Sequence, residues 1–335
     1  MENAMNKRDI CFDLLKAFGI LLVIWGHSIA FLSSSSSDTN HCFLIIYSFH
    51  MPLFMMMSGY FYAGKASLYT FSELLKDKSI HLLLPAILWG VIIASLGFLN
   101  HLYKSESDLH LKVTNSLFLS VWFLKCLFFC YVLAKLANNI VYGYILTLCI
   151  SQLLPIWKFE IMYPCFIAGI LLKHYFDVIR QYSLVAMILL LISFSFTYVC
   201  LWDADMLKTH YLFIEQDSVL GTLYIRFVRI CIGIAGSSFL ILLFDKLFSS
   251  CNNHEKNLGG AVSGIGKETL GIYILQDIIV VGLISKIPGI RIFDGYLFSL
   301  VIAPAFSLIV LWICYRIVRL IKQNNRAAFY LLGVR

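Results

Sequence analysis

Residues 9–32 read DICFDLLKAFGILLVIWGHSIAFL. The run is apolar on every face of a 3.6-residue helix and exceeds the roughly 20 residues that cross a bilayer core. After its first residue only three ionisable groups interrupt it: Asp13, Lys16 and His27. Nine further apolar segments follow, at about 42–62, 80–99, 117–135, 139–155, 159–172, 182–201, 219–245, 269–285 and 293–315, the fifth and sixth spans being short. Of the 335 residues, 60% are hydrophobic and 13% charged, against about a quarter charged in soluble domains. Too few polar side chains remain to cover a globule in water. Disordered, collagen-like and coiled-coil classes fail on the same composition. The missing period-two alternation argues against an outer-membrane barrel. The expectation is an all-α polytopic membrane protein with about ten transmembrane helices. It reads as a single domain over residues 1–335, with a helical core at about 9–320 and no internal repeat.

Lysine and arginine counts orient the chain. With the N-terminus inside, sixteen of the 26 basic residues fall in cytoplasmic segments, among them Lys7, Arg8, Lys76, Lys78, Arg180 and Arg335. Six fall on the other side, namely Lys104, Lys112, Lys158, Lys208, Lys286 and Arg291. Lys16, Lys125, Arg226 and Arg229 lie within spans. Both termini are therefore expected in the cytoplasm, and the protein in the cell membrane. The same placement accounts for the net charge of +7 without a nucleic-acid partner. Residues 9–32 read as a retained helix and not a cleaved signal peptide, because Lys16 and His27 interrupt them and Ser33 to Ser37 offer a poor cleavage site. The ten cysteines show neither CxxC pairs nor Cys/His spacing. No disulfide framework and no metal site is expected.

An ionisable side chain inside a span is costly and defaults to a functional reading. Asp13 and Lys16, three residues apart, share a helix face and can neutralise each other, as an interfacial ion pair would. His27 lies eleven residues beyond Lys16, about three turns or roughly 17 Å along that face. A cation near the cytoplasmic surface and an imidazole near the opposite surface are thus expected to look into one cleft. The second span carries Phe49-His50-Met51-Pro52 at a depth comparable with His27, and Pro52 should bend the helix beside His50. Further along, Lys125 follows Trp122 on the fourth span. Arg226 and Arg229 share a face near the outer end of the eighth, where snorkelling is the structural alternative to ligand contact. Tyr273 and Gln276, one turn apart, can meet sugar hydroxyls or anchor at the interface.

The motifs occur in a recognisable order: Asp13-Leu14-Leu15-Lys16 followed by ten residues and then His27, Phe49-His50-Met51-Pro52-Leu53-Phe54 through Ser58-Gly59-Tyr60, Leu83-Leu84-Pro85, Trp122-Phe123-Leu124-Lys125, and Ile265-Gly266-Lys267-Glu268-Thr269-Leu270-Gly271-Ile272-Tyr273. Over residues 9–320 the chain resembles the integral-membrane acyltransferase-3 family. The resemblance implies ten spans and transfer of an acyl group, usually acetyl from cytoplasmic acetyl-CoA, to a sugar hydroxyl of a surface glycan or its lipid-linked precursor. Two departures stand out. Lys16 replaces the usual arginine, keeping the charge but losing the bidentate fork. Gln276 stands where histidine is frequent, which removes a titratable group.

The reading expected from the sequence is a membrane O-acyltransferase acting on polysaccharide. His27 and His50 would be catalytic, His27 as the base. Lys16, Asp13 and Lys125 would hold the acyl-CoA, and Arg226, Arg229, Trp122, Tyr273 and Gln276 the acceptor. Acyl-CoA is a donor substrate, with no permanently bound cofactor; membrane lipids are the remaining partner, and oligomeric state is left open. The rival class is a transporter or flippase for a lipid-linked glycan or small solute, which also uses intramembrane charges and a broken helix. Against it stand the absent repeat and the early clustering of titratable groups. An intramembrane protease lacks any supporting motif.

Overall fold

A computed structural model of the chain describes residues 10–104, 120–138, 140–207, 218–248, 256–291 and 294–334. Lys7, Arg8, Lys112, Lys208 and Arg335 of the charge count lie outside these residues. The described chain is helical and contains no β-strand: α1 (Ile10–Leu32), α2 (His41–Ala63), α3 (Phe71–Lys78), α4 (Leu84–Lys104), α5 (Trp122–Ala137), α6 (Gly143–Leu153), α7 (Phe159–Gln181), α8 (Ser183–Leu201), α9 (Val219–Phe248), α10 (Lys256–Lys267), α11 (Thr269–Lys286), α12 (Gly295–Ile321) and α13 (Asn325–Leu332). A π-helical turn, Ser79–Leu83, joins α3 to α4, and π-helical stretches also lie within α11 (Asp277–Leu283) and α12 (Phe298–Ile302).

Among the described residues, seven helical segments are long and apolar enough to cross a membrane. They are α1, α2, residues Phe71–Ser95, α8, α9, α11 and α12. The other predicted spans are helical too, but α5 has 16 residues and α6 has 11. Helix α7 has 23 residues and carries Glu160, Lys173, Asp177 and Arg180.

Burial is inverted relative to a soluble protein. Leu184, Val185, Ile188, Leu189, Ile192, Phe196 and Val199 of α8 are exposed. Asp13, His50, Lys125, Glu160, Arg226, Arg229 and Gln276 are buried. In hydrocarbon this is the stable arrangement, because charge pays a desolvation penalty wherever lipid replaces water. Helices α1, α2 and α9 are the most enclosed spans and α8 the least: 14 of the 23 residues of α2 are buried, against 2 of the 19 of α8.

Helix α2 is the central strut, packing chiefly on α7 and α9, while α1 packs on α10, α12 and α2. It runs unbroken through Pro52. The proline ring is received by α9, where a Cβ at Gly233 would lie 2.8 Å from Pro52 Cγ. The α2–α7 contact is closer still: a Cβ at Gly59 would fall on the Phe166 carbonyl, and one at Gly169 on the Met56 carbonyl. These two glycines let the backbones touch, as small residues do between membrane helices. Met55, Met56 and Met57 fill the adjoining core.

Polar contacts sort the connections into two ends. At one end Lys135 Nζ donates to the Ala66 carbonyl (2.8 Å), Arg180 pairs with Asp245 (2.9 Å) and Lys322 with Glu268 (2.6 Å). At the other, Ser35 Oγ donates to Asp294 (2.5 Å), Arg291 Nε to the Phe31 carbonyl (3.1 Å), and His41 meets Tyr198 (3.1 Å).

The close approach predicts that Gly59→Ala and Gly169→Ala each destabilise the protein by about 1–3 kcal/mol, the usual cost of overpacking. Gly64, where a Cβ would meet nothing nearer than 3.8 Å, is the control: Gly64→Ala should melt like the wild type in detergent.

Candidate active site

Two chambers of about 220 Å³ each lie along α1. The first is lined by Lys16, Ile20, Phe54, Phe61, Tyr131 and Thr269, and the second by His27, His50, Trp122, Lys158, Arg229 and Asp277. Met51 and Tyr273 belong to both walls. Lys16 and His27 thus share a helix face as their spacing requires, but they do not look into one cleft. Met51 from α2 and Tyr273 from α11 fill the middle, and each cation-bearing end has its own chamber.

At the Lys16 end, Nζ lies 3.7 Å from Asp13 and 4.9 Å from the Phe61 ring centroid. Asp13 is buried and accepts a hydrogen bond from Ser263 Oγ (3.3 Å). A Cβ at Gly266 would collide with the Asp13 backbone carbonyl, so α10 docks directly on the first turns of α1. Asp13 is held by packing and a hydroxyl, and Lys16 keeps partial exposure toward its chamber.

At the other end, Gln276 Oε1 lies 2.9 Å from His27 Nδ1, while Gln276 Nε2 donates to the Tyr273 carbonyl (3.2 Å). The second bond decides the first. An amide nitrogen committed to a carbonyl leaves the oxygen for His27, so Nδ1 carries the proton of that bond, and in the neutral ring the lone pair is on Nε2. The helix changes to π geometry at Asp277, immediately beyond Gln276. Asp277 lines the chamber within electrostatic reach of His27. Trp25 Nε1, bonded to the Ser299 carbonyl (2.7 Å), and Ser28 Oγ, 3.2 Å from Ser307 Oγ, clamp α1 on either side of His27. His50 is buried, its Nδ1 donates to the Ile46 carbonyl (2.8 Å), and its ring packs on Tyr47 (centroids 4.7 Å). The contact that fixes the His27 ring therefore comes from Gln276.

The remaining expected residues divide. Trp122 and Arg229 line the His27 chamber, and Tyr273 stands between the two. Gln276, expected to face the acceptor, is fully buried with its amide committed to His27 and the Tyr273 carbonyl. Arg226 is buried and donates to the Gln152 carbonyl (2.5 Å), closing the end of α6. Lys125 lines neither chamber. It sits one turn into α5, where Nζ donates to the Ser120 carbonyl (3.0 Å) and lies 5.7 Å from the Trp157 ring centroid. Val121 and Trp122, just before Lys125, line the His27 chamber, while Phe123, Leu124 and Leu127 line that of Lys16. Sequence reading missed Asp277, Lys158 and Glu160. Asp277 was legible, being the only ionisable residue within 269–285. Lys158 was hidden by its place in a short connection, where basic residues are ordinarily solvated.

The family model for the acyltransferase domain of the acyltransferase-3 type matches residues 9–319. The chain belongs to the acyltransferase-3 family. Among curated proteins, this family member is 32% identical over 180 residues to nodulation protein NolL of Sinorhizobium fredii, covering 50% of this chain and 49% of that protein. It is also 32% identical over 138 residues to nodulation protein NolL of Mesorhizobium japonicum, covering 40% and 37%. The chain therefore aligns with half or less of the length of these relatives. No solved structure matches it.

The buried His27–Gln276 bond generates a test within this acyltransferase-3 chain. Gln276→Met keeps the volume but leaves Nδ1–H without its acceptor, and should destabilise the protein by about 1–3 kcal/mol. Thermal unfolding in detergent checks this, with Gln323→Met in the solvent-side turn after α12 as a neutral control.

Proposed function

We propose that this protein is a membrane O-acyltransferase that moves acetyl from cytoplasmic acetyl-CoA to a sugar hydroxyl of a cell-surface polysaccharide or its lipid-linked precursor. In this reading the chain crosses the cell membrane ten times with both termini in the cytoplasm. The alternation of loop contacts between two ends and the basic bias support that arrangement. One observation carries the reading: a chamber holding a cation and a chamber holding a histidine whose Nδ1 is held by Gln276 meet at Met51 and Tyr273.

Lys16 would face a CoA phosphate as a point charge, held by Asp13. The pantetheine arm would carry the thioester to the Tyr273 junction, and the acceptor would enter the His27 chamber from the other side. His27 Nε2 takes the hydroxyl proton as the oxygen attacks the thioester carbon. The new C–O bond forms, the C–S bond breaks, and the imidazolium returns its proton to the departing thiolate. Gln276 holds the tautomer throughout, and Asp277 favours the imidazolium that forms transiently. His50, whose Nδ1 is committed to Ile46, offers Nε2 as an acceptor to position the incoming hydroxyl. Membrane lipids complete the surroundings. Against the transport reading stands the lack of a repeat relating the two halves of the sequence.

The deciding experiment uses the full chain in nanodiscs with radiolabelled acetyl-CoA and the cell's own surface glycan. CoA release should match acylated product one to one, whereas a carrier would give no such stoichiometry. Lys16→Ala should weaken acetyl-CoA binding about 10- to 100-fold, the worth of a charged hydrogen bond, and Lys16→Arg should restore most of it. Unchanged affinity in Lys16→Ala removes the donor assignment.

His27→Gln should lower transfer by about 10²- to 10⁴-fold, the usual contribution of a general base, with normal accumulation and melting. Wild-type turnover by well-folded His27→Gln would overturn the mechanism and return weight to transport.

A further inference from the structure

The His27 chamber carries more positive charge than transfer to a neutral hydroxyl requires. Lys158 and Arg229 both line it. They lie within electrostatic reach of each other, and Lys158 also of His50. Arg226 stands close behind Arg229. Among the described residues the carboxylates near these three cations are Glu160, which is 1% exposed and whose Oε2 makes no hydrogen bond, and Asp277, on the chamber wall within electrostatic reach of His27. Like charges gathered in a low-dielectric site repel strongly unless an anion joins them.

The backbone carries Lys158 there at a cost. Trp157 and Lys158 take successive left-handed conformations, φ 54° and 56°, which side-chain-bearing residues rarely adopt. Lys158 is also the N-cap of α7, where a cation opposes the helix dipole. Across the chamber mouth Val121, a β-branched residue, is left-handed as well, at φ 52°, just ahead of Trp122. Strain of this kind persists where the surroundings hold a functional geometry.

We propose that Lys158 and Arg229 form an anion subsite in the acceptor chamber, which receives a carboxylate or phosphate group carried by the acceptor. The inference rests on reading that chamber as the acceptor side. Acidic acceptors are then bound in preference to neutral ones of the same size. The anionic oxygen can belong to an acidic sugar or to the diphosphate of a lipid-linked saccharide, and both chemistries suit a guanidinium beside an ammonium.

Binding, measured without any acetyl transfer, tests this separately from the enzymatic reading. The full chain in detergent micelles is titrated with oligogalacturonate against neutral oligogalactose, and with farnesyl diphosphate against farnesol. At least one anionic probe should bind about 10- to 100-fold more tightly than its neutral partner. Which pair shows the difference distinguishes acidic sugar from lipid diphosphate. Lys158→Met and Arg229→Met should each remove most of the preference, and Lys158→Arg should retain it. Saturating coenzyme A should leave it intact. Equal binding of anionic and neutral probes by the wild-type chain overturns the proposal, whether or not the variants accumulate. So does displacement of the anionic probe by coenzyme A, which would place the probe in the Lys16 chamber.

Discussion

The hydrogen bond between His27 and Gln276 joins α1 to α11, and the geometry of the candidate site follows from it. Within a membrane helix an imidazole without partners would be free to rotate among rotamers and tautomers. Here a single side-chain amide removes both freedoms. Its nitrogen is committed to the Tyr273 carbonyl, so its oxygen is the atom presented to Nδ1. The consequence is chemical: in the neutral ring the lone pair is left on Nε2, in a chamber shared with Asp277, His50 and Trp122. A glutamine thus does the orienting that a carboxylate or second histidine does elsewhere, and it adds no charge to a site that already holds several.

That bond can form only because the backbones come close. Gly266 seats α10 on the Asp13 carbonyl, and the α2–α7 contact depends on Gly59 and Gly169. Large side chains at any of these points would spread the helices and open both chambers to lipid. The middle of the molecule is packed with methionine and aromatic side chains, while the charged groups are gathered at two levels along α1. Hydrocarbon enforces this division, since each buried charge must find a partner or a water-filled cavity. The protein supplies two cavities and places its charges against them.

Tyr273 and Met51 form the wall shared by the two chambers. Under the proposed acyl transfer, an elongated donor and a bulky acceptor would not compete for space, and only the small acyl carbonyl would need to pass between the chambers. Under the same proposal, the three helical turns from Lys16 to His27 would hold the nucleotide end of the donor apart from the hydroxyl of the acceptor.

The helical class, the segments that form the seven long apolar helices and the ionisable residues set within them, Asp13, Lys16, His27 and His50, were legible in the sequence. Each is a local property: apolar length, or an ionisable residue where none is cheap. Asp277 was available by the same rule. The division of Lys16 and His27 into separate chambers was not legible, because it depends on Met51 and Tyr273 arriving from other spans. Nor were the role of Gln276, which looks like a lost histidine until His27 is placed beside it, the diversion of Lys125 to the Ser120 carbonyl, or the recruitment of Lys158 from a connecting segment. Periodicity determines which face of a helix a residue occupies. Only the packing of distant helices decides what that face meets, because those contacts join residues as far apart as 27 and 276.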